Sequence, residues 1–262
     1  MKINVAGILI DNLSKREVLD YVTQLLRSQK LCYLVTPYSE QIVFALEDEE
    51  YKKTLNGAAL ALPDGIGVLW ASKYLHSSDS LLKTLFAIIF NRPYIRSVIQ
   101  EQITGSLFVY DLVRLAAENN FSLALVGGEG NVAAQSAYEL KKLYPNLKVN
   151  LALSGRPFDE KIIQEIAASN SDILLIAYSP PKQEKWIAAN LQKLNVKLAM
   201  GLGGTFDYIA GKRLLPPQFM RTIGLEWLWR LITQPWRIKR MWNAIPVFIW
   251  KIYMYKKNHV TN

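Results

Sequence analysis

The sequence predicts an α/β fold: a Rossmann-like, mostly parallel sheet with helices on both faces, followed by a helical C-terminal membrane-binding appendage. Three observations lead there. Short unbroken apolar runs alternate with longer stretches of helical period, the pattern of strands buried on both faces by crossover helices. Gly- and Pro-rich turns follow several of those runs. The charge is also unevenly spread: residues 1–211 hold 21 Lys+Arg against 21 Asp+Glu, whereas residues 212–262 hold 10 against one, Glu226, so the whole net charge of +9 lies in the tail.

In chain order, the apolar runs place strands at 3–10, 32–36, 58–62, 122–127, 147–153, 172–177 and 197–201. Between the first two, Ser14 and Glu17 make a capping box, and Val18, Tyr21, Val22, Leu25 and Leu26 mark the apolar face of the helix that follows. Residues 77–103 interrupt the rhythm with an apolar, Pro-containing segment, read as an insertion or a surface-covering pair of helices. Pro181, a good first helical residue, opens another helix that turns Ile187, Leu191 and Leu194 inward. No Pro/Gly/Ser linker divides residues 1–205, so the expected organisation is a Rossmann-like domain over 1–211 and a basic, Trp-rich appendage over 212–262.

At 262 residues and 50% hydrophobic, the chain can bury one substantial core. Cys32 is the only cysteine, which excludes an internal disulfide and a Cys-based zinc cluster and fits a reducing compartment. The N-terminus lacks the apolar run and small-residue cleavage site of a signal peptide, so a cytoplasmic enzyme is expected. The longest apolar stretches, 81–90 and 246–255, fall well short of the ~20 residues that span a bilayer.

Ligands of open α/β sheets bind outside the carboxyl ends of the strands, which directs attention to the turns there. They are 36–40 (Thr-Pro-Tyr-Ser-Glu), 63–67 (Pro-Asp-Gly-Ile-Gly), 127–130 (Gly-Gly-Glu-Gly), 179–184 (Ser-Pro-Pro-Lys-Gln-Glu) and 201–207 (Gly-Leu-Gly-Gly-Thr-Phe-Asp). Their glycines suit either the approach of backbone N–H groups to a diphosphate or merely a tight strand-to-helix turn. Asp64 is either a turn cap or a carboxylate facing substrate. Neither G-x-G-x-x-G nor a P-loop pattern is present, which argues against an oxidoreductase and a nucleoside-triphosphatase. His76 and His259 stand apart from any nucleophile-like motif, and no D-x-D occurs that would hold a divalent metal on a nucleotide sugar. No metal site and no cofactor are therefore expected. The charge on a leaving diphosphate would fall to guanidinium groups, and the tail offers Arg221, Arg230, Arg237 and Arg240.

Five of the seven tryptophans lie in the tail: Trp227, Trp229, Trp236, Trp242 and Trp250. Ile238, Met241, Trp242 and Ile245 recur at helical spacing with Arg237 and Arg240 on the other side, a pattern suited to an anionic membrane surface. Such a stripe also fits a contact within the molecule or between copies in a homo-oligomer. Too few polar groups separate the apolar ones for a nucleic-acid arm.

Taken together, 62–67 (Leu-Pro-Asp-Gly-Ile-Gly), 179–184, 201–207 and 224–230 (Gly-Leu-Glu-Trp-Leu-Trp-Arg), followed by 235–237 (Pro-Trp-Arg) and Arg240, resemble the WecG/TagA/CpsF glycosyltransferase family. The motifs occur in that family's order over most of the chain. The resemblance implies a metal-independent, inverting transfer of an N-acetylhexosamine-type sugar, commonly N-acetylmannosamine, from a UDP-sugar donor. Its acceptor would be a sugar linked to polyprenyl diphosphate at the inner membrane face, in the biosynthesis of a cell-surface polysaccharide or teichoic acid. By the same resemblance Asp64, ionised as an ordinary carboxylate at pH 7, is the general base. Arg230, Arg237 and Arg240 stabilise diphosphate charge, while Thr36, Gln183, Gly203 and Gly204 match the family's substrate-site positions. Tyr38, beside Thr36, and Gly127 and Gly128 of the 127–130 turn are further expected substrate contacts. Trp229, Trp236, Trp242 and Trp250 are the expected membrane contacts. The chain departs from the family at Tyr38, where an asparagine is usual, and at Leu107, where an acidic residue is usual; a catalytically impaired nucleotide-sugar-binding scaffold is the alternative.

Overall fold

The computed structural model describes residues 1–28, 30–155, 159–218, 220 and 225–259, with Arg237 described in its backbone alone. An antiparallel hairpin, β1 (Lys2–Val5) and β2 (Ile8–Asp11), precedes six strands that form one parallel sheet: β3 (Cys32–Val35), β4 (Leu60–Ala61), β5 (Ser122–Gly127), β6 (Lys148–Leu153), β7 (Ile173–Ala177) and β8 (Leu198–Gly201). The order across the sheet is β4, β3, β8, β7, β5, β6. The step from β3 to β4 runs toward one edge and that from β5 to β6 toward the other, with β7 and β8 between them, an arrangement that leaves a crevice at the carboxyl ends.

The helices are α1 (Lys15–Arg27), α2 (Ser39–Glu47), α3 (Glu49–Asn56), α4 (Ile66–Leu75), α5 (Leu81–Phe90), α6 (Arg92–Ile95), α7 (Gly105–Glu118), α8 (Val132–Leu143), α9 (Glu160–Ala168), α10 (Lys182–Leu194) and α11 (Thr205–Ile209). Strand side chains alternate between two cores, because successive Cβ atoms point to opposite faces. Leu123, Leu125, Ile173 and Leu175 meet α1, α7, α8 and α11, whereas Ala124, Val126, Leu174 and Ile176 meet α2, α3, α4, α9 and α10. The strand pattern is as expected except at the N-terminus. The run 3–10 is not one strand of the main sheet: Ala6 and Gly7 both take positive φ, 52° and 87°, which makes the two-residue turn of a hairpin. Its tie to the sheet is a hydrogen bond of 2.8 Å from the Ala61 N–H to the Asp11 carboxylate.

Ser14 and Glu17 cap α1 reciprocally, with Glu17 accepting the Ser14 N–H at 2.7 Å. That helix buries Val18, Val22 and Leu26 but leaves Tyr21 exposed, at the edge of the apolar stripe. The tail is helical: α12 (Glu226–Thr233), a 3-10 turn at Pro235–Arg237, α13 (Ile238–Trp242), a π-helical turn at Asn243–Val247 that contains Pro246, and α14 (Phe248–His259). No described helix is long and apolar enough to cross a membrane.

Candidate active site

A cleft of about 830 Å³ opens over the carboxyl ends of β3, β4, β7 and β8, and the tail closes one side of it. Asp64 lies within it, on the turn after β4. Gly65, at φ 89°, makes the left-handed bend that starts α4, and a Cβ on Gly67 would overlap the Ser39 hydroxyl of the neighbouring turn. The Asp64 carboxylate accepts the Gly105 N–H at 3.1 Å, at the start of α7, where the helix dipole favours negative charge. Thr36 fixes that helix end: a Cβ on Gly105 would come within 2.9 Å of its Oγ1.

The electrostatics of Asp64 differ from those of an ordinary carboxylate. Burial pushes its carboxyl up to about 7; the negative charge of Glu226 adds to the rise, while the positive charge of Arg230 and the Gly105 hydrogen bond oppose it. The expectation that Asp64 is fully ionised at pH 7 is therefore corrected. At neutral pH it divides between its acid and base forms, the balance that serves a general base. Both modulating residues come from α12, so the tail supplies charges to the cleft. Arg230 also lines it, and its buried Nε meets no hydrogen-bond partner among the described residues.

Arg240 reaches the cleft from α13 but is engaged by the protein. Its Nη2 donates at 2.8 Å to both Glu40 and the Tyr38 hydroxyl, and its Nε donates to Glu40 at 3.0 Å. The Tyr38 hydroxyl in turn donates to Glu40 at 3.0 Å. Burial alone would lower the Arg240 guanidinium, yet the bonds and charge of Glu40 and Tyr38 hold it above its usual value. The phenol at position 38 thus replaces a compact amide with a clasp on the tail. Arg221 lies outside the described residues, as does the side chain of Arg237.

Gln183 and Glu184 open α10, after β7, and both are buried. Glu184 accepts from Gln183 at 2.7 Å, Gln41 at 2.8 Å and Tyr51 at 3.3 Å. Burial pushes its carboxyl up to about 6 against those bonds. The Gln183 carbonyl accepts the Gly203 N–H at 3.0 Å, so this network ties the turns after β3, β7 and β8 together. A Cβ on Gly201 would stand 2.7 Å from the Gln183 side chain. Gly203 and Gly204 line the cleft beside Arg213, whose guanidinium pairs with Asp207 at 3.0 Å.

The structure therefore brings together Thr36, Tyr38, Asp64, Gln183, Gly203, Gly204, Arg230 and Arg240 around one cleft. Gly127 and Gly128 are not among its lining residues: β5 lies beyond β7, and a Cβ on Gly127 would stand 2.7 Å from the Ala177 carbonyl, so close strand packing accounts for the glycine. Sequence reasoning assigned no role to Glu40, Glu184 or Arg213. The first two stand in turns singled out by the pattern, but their partners lie up to 200 positions away. Of the tail tryptophans, Trp236, Trp242 and Trp250 are each at least 60% exposed, and Trp229 donates its indole N–H to the Leu214 carbonyl at 3.2 Å.

The family model described as the Glycosyl transferase WecG/TagA/CpsF family matches residues 3–85 and 86–262. An N-acetylglucosaminyldiphosphoundecaprenol N-acetyl-beta-D-mannosaminyltransferase of Bacillus subtilis (strain 168) is 29% identical over 93% of this chain and 88% of its own length. A Staphylococcus aureus (strain MRSA252) protein of the same name is 24% identical over 98% of this chain and 94% of its own. The chain belongs to the WecG/TagA/CpsF family of glycosyl transferases.

Proposed function

We propose that this glycosyl transferase moves N-acetylmannosamine, or a closely related N-acetylhexosamine, from a UDP-sugar to a sugar carried on polyprenyl diphosphate, with inversion and without a metal. The relatives' names supply the sugar and the class of acceptor. The observation that carries the chemistry is the placement, within one cleft, of a carboxyl held at about 7 and a guanidinium whose buried Nε has no partner among the described residues. The acceptor hydroxyl attacks the anomeric carbon of the donor and its proton passes to Asp64. The bond from that carbon to the diphosphate breaks on the opposite face, and its electron pair leaves with UDP. Arg230 donates to the departing oxygen charge, as a positioned donor must if it is to favour the transition state over the ground state.

Metal independence rests on this cationic provision and on the lack of D-x-D in the sequence. Gly203 and Gly204 offer backbone to the nucleotide side, and Gln183 orients them rather than gripping substrate itself. Tail tryptophans place the cleft at the inner face of the cell membrane, where the acceptor lies. The test is release of UDP from UDP-N-acetylmannosamine with a polyprenyl-diphosphate-linked acceptor, in the presence of a chelator. Asp64→Asn should lower kcat by about 10²-fold or more while the donor still binds. Full turnover by that variant would remove Asp64 from the mechanism, and abolition by the chelator would remove metal independence.

A further inference from the structure

Helix α5 is apolar apart from Lys83 and Thr84 in its first turn. Thr84 and Ala87 are buried against the body of the protein, with the Trp70 indole N–H donating to Thr84 at 3.1 Å. Leu85 and Ile88 turn toward the cleft and line it. The remaining face carries Leu82, Phe86, Ile89 and Phe90, between 62% and 78% exposed, at the i, i+4, i+7, i+8 spacing of a single helical stripe. Four large apolar side chains on one short surface helix form a patch of the kind that marks an interaction site.

The surroundings of the patch select its occupant. Residues 66–100 contain Lys73, Lys83, Arg92 and Arg96 against one acid, Asp79, which pairs with Lys83. Aromatic and aliphatic side chains flanked by cations match an anionic lipid surface, with rings among the acyl chains and bases among the headgroups. The helix has ten residues, so it can lie in the interface but not cross it. Its position gives the contact a purpose: exposed Ile89 on α5 and exposed Trp227 on α12 both border the cleft.

We infer that α5 is a second membrane-binding element, which inserts Leu82, Phe86, Ile89 and Phe90 into an anionic bilayer at the rim of the cleft that Leu85, Ile88 and Ile89 line. Contacts from α5 and from the tail, both of which border the cleft, would together orient it toward the membrane. The inference does not depend on the reaction assigned to the cleft, since it is tested without any sugar.

The test is partition of the full chain onto phosphatidylcholine vesicles with and without phosphatidylglycerol. Phe86→Ser/Phe90→Ser alters exposed side chains and should leave the melting temperature unchanged, yet lower partition onto the anionic vesicles by about tenfold with the tail intact. A second measurement uses Phe90→Cys carrying an environment-sensitive fluorophore; Cys32 is buried, so the label goes to position 90. Its emission should shift to the blue on anionic vesicles. Unchanged partition of the double variant, or a label that stays in water, overturns the inference. Self-association without lipid that the double variant abolishes would assign the face to a second copy and overturn it equally.

Discussion

The acid–base behaviour of Asp64 is set by three neighbours with opposing effects. Burial and Glu226 favour the protonated form; Arg230 and the Gly105 N–H favour the carboxylate. The working form of a general base is the carboxylate, so kcat/KM should rise as pH increases through about 7 and level off above it. Glu226→Gln deletes a negative charge that raises the carboxyl, which moves the rise to lower pH and leaves more base at neutrality. Arg230→Gln deletes a positive charge that lowers it, which moves the rise to higher pH. The latter also removes the proposed donor to the leaving group and should cost about 10²-fold in kcat at the plateau. Opposite displacements of the two pH–rate profiles are the measurement; parallel ones would show that Asp64 is not the titrating base.

Helix α14 shows how an element can be tail in composition and core in packing. Phe248 and Ile252 are buried in the same cluster as α2 and α4, with Phe248 edge-on to Trp70 at 6.0 Å between ring centroids. Lys256 donates to the Tyr74 and Ser77 carbonyls at 2.7 and 2.6 Å, and Lys251 pairs with Glu47 at 2.8 Å. Phe248→Ala should therefore destabilise the protein by about 3–5 kcal/mol, read by denaturant unfolding, whereas Trp242→Ser on the exposed stripe should change stability by less than about 0.5 kcal/mol. The periodicity of β3 to β8 was legible because each strand is buried on both faces and reads as an apolar run. The hairpin was not, since Gly7 is the only glycine or proline in a largely apolar run and Ala6, the other residue of the turn, does not mark the positive φ it takes. Similar glycine turns follow β5 and β8, and only the strand order, a long-range property, separates Gly127 from Gly203. Asp64 could be picked out by its motif, but its titration could not, because the burial that chiefly raises it, and the α12 charges that modulate it, arise only in the folded cleft. Nor could the occupation of Arg240 by Glu40 and Tyr38, which links residues 200 positions apart.

At the scale of the whole molecule the charge is divided: a body with equal numbers of acids and bases, and a tail with ten bases and one acid. Those bases have different duties. Arg240, Lys251 and Lys256 hold the tail to the body, and Arg230 faces the cleft, so their charges are partly spent within the protein. The bases that remain exposed, such as Lys239, are the ones a membrane would meet, and an interaction of that kind weakens with ionic strength over a Debye length of about 8–10 Å. The cleft is lined by residues of the sheet turns and of the tail, so under the proposed function a tail that docks on a membrane brings part of the cleft lining with it. Raising salt should accordingly reduce turnover of an acceptor embedded in anionic vesicles by about tenfold or more, through an increase in apparent KM. Turnover of a short-chain, water-soluble acceptor should change less, because Glu40, which holds Arg240, is buried and Asp64 titrates within a buried setting. The measurement is the pair of salt titrations on the same preparation. Equal losses for the two acceptors would place the salt-sensitive contact inside the cleft rather than at the membrane.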